Sequence, residues 1–323
     1  MKRIGILTSG GDGPGMNAAI RAAVRTATVR DVSVVGYMDG YTGLITGEFQ
    51  ELFDRSVGNV IQRGGTILGT SRCPEFLDAG VRFMAVQQMR RDGVEGLVII
   101  GGDGSFRGAL AIEAEHGVPI AGVPVTIDND VWGTEETIGF DTAVNTAVIA
   151  IDHVRDTSEA TGMMFFVEVM GRTSGAIALH TAVAAGAAGV LVPEAHEQVE
   201  ELVERLKRSI ERGKRSHIIV VAEGDEAGGA FAVAQKVGTI MNHPYRVVVL
   251  GHTQRGGAPT ARDRIIAGVS GALAARALIE GRSGIMIGIQ RGQAVEVALK
   301  DVVTNSHPSP DTSLLSLAQE LAG

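Results

Sequence analysis

The stretch "TIDND", Thr126 to Asp130, sets two aspartates around an asparagine directly behind the apolar run "VPV". As a turn this is ordinary, since Asp and Asn readily bond their own backbone and Gly133 follows. As chemistry it is more demanding. Charges at the end of a buried strand need hydrogen bonds, cations or water, and Thr126 and Asn129 supply donors. Fixed positive donors stand behind other apolar runs, in "MGR" (Met170 to Arg172) and "HTQR" (His252 to Arg255), and Arg72 lies in "TSRCPEF". Surface arginines paired with acids are common and matter little to stability, but arginines beside glycine at strand ends are harder to read that way. His252 reads as a hydrogen-bonding histidine, because no second histidine or cysteine stands at metal-ligand spacing.

Two glycine loops add to this set. "SGGDGPGMNAAIR" (Ser9 to Arg21) follows the first apolar run and opens a helical pattern. Bare glycine N–H groups and the positive end of a helix favour a phosphate there. The loop is not a Walker A sequence, and Met16 stands where a dinucleotide fingerprint needs its third glycine. A strand–turn–helix without ligand has the same look. "IIGGDGSFRGAL" (Ile99 to Leu110) repeats the arrangement with Asp103 in the turn. A carboxylate aimed at a phosphate repels it unless a cation intervenes, so Asp103 is a candidate for holding Mg²⁺ on a nucleotide, an ion that needs only one or two protein carboxylates. Alone, Asp103 reads first as the cap of a helix starting near Ser105. A base, a metal aspartate and several arginines together are what phosphoryl transfer requires, where the protein mainly positions groups and neutralises charge.

Positioning these groups falls to an alternation of short Val/Ile-rich runs with helix-period segments, the pattern of parallel sheets with helices on their faces. Strands are expected at 3–8, 33–38, 96–101, 119–125, 164–170, 189–194, 217–223, 246–251 and 284–290, buried on both faces and so without polar alternation. Helical stripes run through Val144, Ala147, Val148, Ile151 and Val154, through Val199, Leu202, Val203, Leu206 and Ile210, and through Ile265, Ile266, Val269 and Leu273. Each stripe is expected to be core. In open sheets of this kind ligands bind at the carboxyl ends of strands, and the glycine, carboxylate and arginine clusters all follow strands.

With 323 residues the chain exceeds the length at which one core usually keeps growing, so two lobes are expected, tightly joined near Gly139 because no Pro/Ser-rich linker intervenes. No apolar run approaches the roughly 18 residues of a membrane span, and the stretch ending at Leu7 is too short for a secretory signal. A single cysteine fits a reducing compartment, and a net charge of -8 argues against a nucleic-acid partner. A soluble cytoplasmic protein is expected.

"LTSGGDGPGMNAAIR", "IIGGDGS", "TIDND", "VEVMGR", "AEG" and "LGHTQRGG" occur in the order and spacing of the bacterial ATP-dependent 6-phosphofructokinases, which the whole chain resembles. The resemblance implies two doubly wound α/β lobes with largely parallel sheets, and an active site in the cleft between them. It implies a nucleotide lobe at 1–139 and 252–301 and a sugar-phosphate lobe at 140–251 and 302–323. Carried over by motif, Gly11, Arg72, Cys73, Gly102, Asp103, Gly104 and Ser105 form the ATP site, Cys73 by position rather than thiol chemistry. Thr126, Ile127, Asp128, Met170, Gly171, Arg172, Glu223, His252 and Arg255 form the fructose 6-phosphate site, with Arg246 reaching across a homotetramer interface. Asp128 is the implied base, Arg172 and Thr126 its catalytic companions, and Asp103 with Asp130 the Mg²⁺ carboxylates. Arg21, Arg25, Arg155 and Lys214 match the positions that bind ADP or phosphoenolpyruvate as effectors.

Gly104 is the residue of the ATP users, since pyrophosphate-using relatives carry aspartate there and lysine in place of Val125. Two positions depart from the family. Met163, in "SEATGMMFF", replaces an arginine lent to the neighbouring sugar-phosphate site, and Ala188 replaces a glutamate that helps hold the effector's magnesium. A different phosphosugar, a pyrophosphate-dependent variant or a catalytically weak regulatory paralogue are the alternatives, and blunted ADP activation is expected.

Overall fold

The computed structural model describes residues 1–195, 199–224, 228–308, 310–311 and 313–322. In chain order its first elements are β1 (Arg3–Ser9), α1 (Met16–Thr28), β2 (Ser33–Tyr37), α2 (Tyr41–Thr46), β3 (Phe49–Leu52), α3 (Ala79–Arg91), β4 (Gly96–Gly101), α4 (Asp103–His116), β5 (Ile120–Thr126), β6 (Ile138–Gly139), α5 (Phe140–Thr161) and β7 (Met164–Val169). There follow α6 (Ala176–Ala184), β8 (Gly189–Leu191), α7 (Val199–Glu211), β9 (His217–Ala222), α8 (Gly229–Met241), β10 (Tyr245–Val249), α9 (Ala261–Ile279), β11 (Ile285–Gln290), β12 (Gln293–Ala298), α10 (Leu299–Thr304) and α11 (Ser313–Leu321). They divide into two units: Met1–Thr126, Asp130–Asp141 and Arg255–Pro308 form the first, and Ile127–Asn129, Thr142–Gln254 and Ser309–Gly323 the second.

The first unit is built on an eight-stranded sheet in the order β12-β11-β5-β4-β1-β2-β3, with β6 added to β5. The central strands β1, β4 and β5 are continuous apolar runs, almost wholly buried, as parallel strands covered on both faces must be. β3 and β12 pair antiparallel with β2 and β11. Neither is anticipated by the sequence reading, because both are partly exposed edge strands that carry polar residues. From β1 the chain passes to β2 on one side, while β4 and β5 lie on the other. The carboxyl ends of β1 and β4 therefore flank a topological switch point.

One helical stripe is corrected. α9 packs against α1, and a Cβ at Gly271 would overlap the backbone oxygen of Ala19, so the contact admits only small residues. Ala267, Ser270, Gly271, Ala274 and Ala275 occupy the buried face. Ile265, expected as core, is 61% exposed, and Val269 is exposed as well, while Ile266 is buried.

In the second unit β10-β7-β9-β8 form an all-parallel sheet. β9 is entirely buried and β7 nearly so. β10 is not the doubly covered strand expected from its Val-rich run: it lies at the sheet edge, half-exposed. The α7 stripe is core as expected, with Val199, Leu202, Val203 and Leu206 buried in the same cluster as Val233 and Val237 of α8. Among the described residues no helix is long and apolar enough to cross a membrane.

Candidate active site

In the first unit the loops after β1 and β4 meet at the switch point. The hydroxyl of Ser105, in the first turn of α4, donates to the Ser9 carbonyl at 3.0 Å, joining the two loops. Tyr41 donates its phenol to the Ser105 carbonyl at 2.6 Å and stacks on Phe76, with ring centroids 4.0 Å apart. Arg72 and Cys73 reach the same place because their segment is laid along the first loop: Gly10 donates to the Ser71 carbonyl at 3.4 Å, and Thr70 Oγ1 donates to the Gly10 carbonyl at 2.9 Å. Burial pushes the Cys73 thiol above its ordinary pKa, which disfavours the thiolate. Gly11 lies against the Arg255 guanidinium, which a Cβ there would displace and which donates to the Asp12 carbonyl at 3.3 Å. Arg255, expected at the sugar phosphate, thus rests on the first glycine loop.

Asp103 is the first residue of α4, and the cap position falls to Gly102, so the reading of Asp103 as cap is not what the helix uses. Its carboxylate pairs with Arg107 one turn on, at 2.8 Å. Gly102 lies close to the end of β5, where an added Cβ would stand 3.8 Å from Thr126. An added Cβ at Gly104 would meet nothing within 4 Å. Among the described residues no group of three or more His, Cys, Asp or Glu side chains is arranged to hold a metal. One partly exposed carboxylate at a helix start suits an Mg²⁺ that arrives already bound to phosphates, and the described residues offer no cage for a resident ion. Asp130 accepts a hydrogen bond from His307 through its backbone carbonyl. Val125 lies in the apolar core with Ile138 and Ile100, so its side chain is chosen by packing.

In the second unit the site is made of side chains. Asp128 is 2% exposed, and its Oδ2 lies 3.4 Å from Arg172 Nε. A buried carboxylate needs such a partner, since desolvating a lone charge is costly. Arg172 follows β7 with φ +54°, a left-handed conformation that bulky residues rarely adopt, and Gly171 before it has φ +143°. Two bonds hold this turn in place: Arg172 N donates to Glu223 Oε1 and Met170 N to Gln254 Oε1, both at 2.8 Å. Gly224 is required beside it, because a Cβ would overlap the Arg172 carbonyl. Ile127 and Met170 are buried, whereas Glu223, Arg246 and His252 are exposed.

Residues 3–278 match the phosphofructokinase family. Over 322 residues, all of both chains, the sequence is 52% identical to ATP-dependent 6-phosphofructokinase 1 of Thermus thermophilus and 50% identical to ATP-dependent 6-phosphofructokinase of Bacillus licheniformis. The chain belongs to the phosphofructokinase family. Phosphofructokinase from Pichia pastoris in the T-state is similar in structure, with a TM-score of 0.89 and 34% identity over 99% of this chain, which spans 36% of that yeast chain. The pyrophosphate-dependent phosphofructokinase of Nitrosospira multiformis shares the fold at a TM-score of 0.89 and 19% identity, covering 100% of this chain and 91% of the other.

The four residues matched to the family's effector positions divide between the units. Arg21 and Arg25 lie on α1. Arg155 and Lys214 lie close enough in the second unit for the arginine's charge to matter: burial first, and then Arg155, lowers the Lys214 pKa. Arg155 donates to the Ala185 carbonyl, and Lys214 to the Ala322 carbonyl at 3.0 Å. Ala188 is buried beside β8. Two functional supports escaped the sequence reading. Gln254, fully buried, sits inside the quoted "HTQR" between the two residues that were chosen from it. Tyr41 lies in no motif, and only its distant contacts with Ser105 and Phe76 mark it.

Proposed function

We propose that this phosphofructokinase transfers the γ-phosphoryl group of ATP to the 1-hydroxyl of fructose 6-phosphate, giving fructose 1,6-bisphosphate and ADP in glycolysis. The observation that carries the reading is the buried Asp128 carboxylate beside the Arg172 guanidinium, a base and a cation fixed by a turn that two other side chains fasten. Asp128 takes the proton from the attacking hydroxyl. Arg172, Arg72 and Thr126 stabilise the charge spread over the moving phosphoryl group. Asp103 and Asp130 are the residues that would hold Mg²⁺, which when bound neutralises phosphate charge. Ile127, Met170, Gly171, Glu223, His252 and Arg255 receive the sugar phosphate, with Arg246 from a neighbour in a homotetramer.

ATP is favoured as donor by Gly104 and by the names of full-length relatives such as that of Thermus thermophilus. Arg21, Arg25, Arg155 and Lys214 are assigned to ADP or phosphoenolpyruvate as effectors, and the cytoplasm is the assigned location. One observation favours a second reading, a kinase for another phosphosugar: Met163 stands where the family places a sugar-phosphate arginine. A coupled assay of the purified chain tests both, using fructose 6-phosphate or other phosphosugars with ATP or pyrophosphate. Fructose 1,6-bisphosphate formed with ATP is the expected product. Turnover confined to pyrophosphate, or to another phosphosugar, would overturn the reading.

A further inference from the structure

Residues 53–73, between β3 and the short helical turn that starts at Pro74, contain no helix or strand, yet they carry Arg72 one residue from their end. Loops this long have a function or lack order, and an ordered one must be fixed from outside. Asn17, on α1, does much of this. It is 1% exposed and uses both ends of its amide: Nδ2 donates to the carbonyls of Arg63 and Gly64 at 3.1 and 3.2 Å, and Oδ1 accepts from the Ile67 N–H at 2.7 Å. Beyond Ile67 the chain is stitched forward. Asp39 N donates to the Leu68 carbonyl at 2.8 Å, Thr8 Oγ1 to the Gly69 carbonyl at 2.6 Å, and Thr70 Oγ1 to the Gly10 carbonyl at 2.9 Å. The next residues are Ser71, bonded to Gly10, and then Arg72.

Arg72 is itself exposed, so the reach of its guanidinium is set by the backbone that carries it. Asn17 suits the place as few residues would. Aspartate keeps the acceptor for Ile67 but turns an anionic oxygen toward two carbonyls, and leucine leaves three backbone groups without partners in a buried site.

We infer that Asn17 is a positioning residue for phosphoryl transfer: by clamping the loop at Arg63, Gly64 and Ile67 it fixes where Arg72 meets the transferred group. This rests on the role given to Arg72 above. The test is a double-mutant cycle of N17A and R72A in the full-length chain, with kcat and both KM values measured for ATP and fructose 6-phosphate. N17A is expected to lower kcat by about 100-fold, as a misplaced catalytic group does, with both KM values little changed. In the R72A background the same substitution should cost less than about twofold, because the two residues act as one unit. Equal losses in both backgrounds would overturn the proposal and give Asn17 a general structural role. Hydrogen exchange at the Ile67 amide should quicken in N17A and stay slow in N17D, which keeps the acceptor. Unfolding of both N17A and N17D would likewise overturn it. The underlying reading fails separately: wild type inactive with ATP and fructose 6-phosphate sinks the proposed function, and a fully active R72A sinks the assignment of Arg72.

Discussion

In the first unit the loops after β1 and β4 present glycine backbone, a helix start and two carboxylates, the exposed Asp12 and the partly exposed Asp103. In the second, the stretch Ile127–Asn129 sets a buried carboxylate against an arginine that follows β7 with its backbone at positive φ, held by a glutamate that follows β9. The contrast fits the role proposed for each. A polyphosphate is bound well by many N–H groups and one helix dipole, with little side-chain chemistry. A hydroxyl that must lose a proton needs one base at one distance. A backbone-built site is therefore damaged by adding atoms, and a side-chain-built site by removing them.

The sharpest way to break this contrast is to delete the base. D128S removes a carboxylate and leaves the turn fastened by Glu223 and Gln254, so kcat should fall by about 100- to 10,000-fold. Sugar binding, followed by titration calorimetry, should persist. An almost fully active D128S would show that the second unit's buried pair is not the reacting one.

The complementary experiment adds atoms to the first unit. Because a Cβ at Gly104 meets nothing within 4 Å, G104D should fold with the melting temperature of wild type. It should nonetheless lose at least about tenfold in kcat/KM for ATP, since like charges brought together cost several kcal/mol. A G104D with wild-type ATP kinetics would mean that the backbone at the start of α4 does not face the nucleotide. A smaller effect is expected at Met163, where the resemblance to the family implies an arginine. Met163 is half-buried just before β7, and M163R introduces a cation there. A charge-assisted contact worth about 1.5 to 3 kcal/mol lowers the KM for fructose 6-phosphate by roughly tenfold or more. An unchanged KM would show that Met163 is no deficit.

How much could be read from the sequence follows the same division. Glycines, strand-end acids and arginines announce themselves locally, and the central strands are legible because burial on both faces leaves only apolar residues to use. What escapes is long-range. Asn17 and Ile67 are 50 residues apart and Met170 and Gln254 84 apart, and nothing in either segment names its partner. β3 and β12 escape because edge strands carry polar residues, and β10 is misjudged for the converse reason, apolar residues spent on a half-exposed edge. On α9 the larger apolar residues mislead: the tight crossing with α1 selects alanine and glycine, which no hydrophobic stripe signals.

The smallest effect is expected at the start of β9, at the opposite end of the strand from Glu223. His217 opens β9, 1% exposed, with its Nε2 donating to the Lys214 carbonyl at 2.9 Å. Burial lowers its pKa below the ordinary 6.5, and the charges of Lys214 and His243 act in the same direction, against the raising effect of the bond to Lys214. The folded chain therefore holds this imidazole neutral where the unfolded chain takes up a proton. Stability is full above about pH 6.5, declines as the pH falls from there through the lowered folded value, and levels off beneath it. H217Q keeps a donor for Lys214 without titrating, so between pH 7.5 and 5 its melting temperature should fall less than that of wild type, by a margin of only about 2–4 °C. Identical declines would place the acid sensitivity elsewhere, among the carboxylates of either unit, and catalysis at neutral pH should be untouched in both proteins.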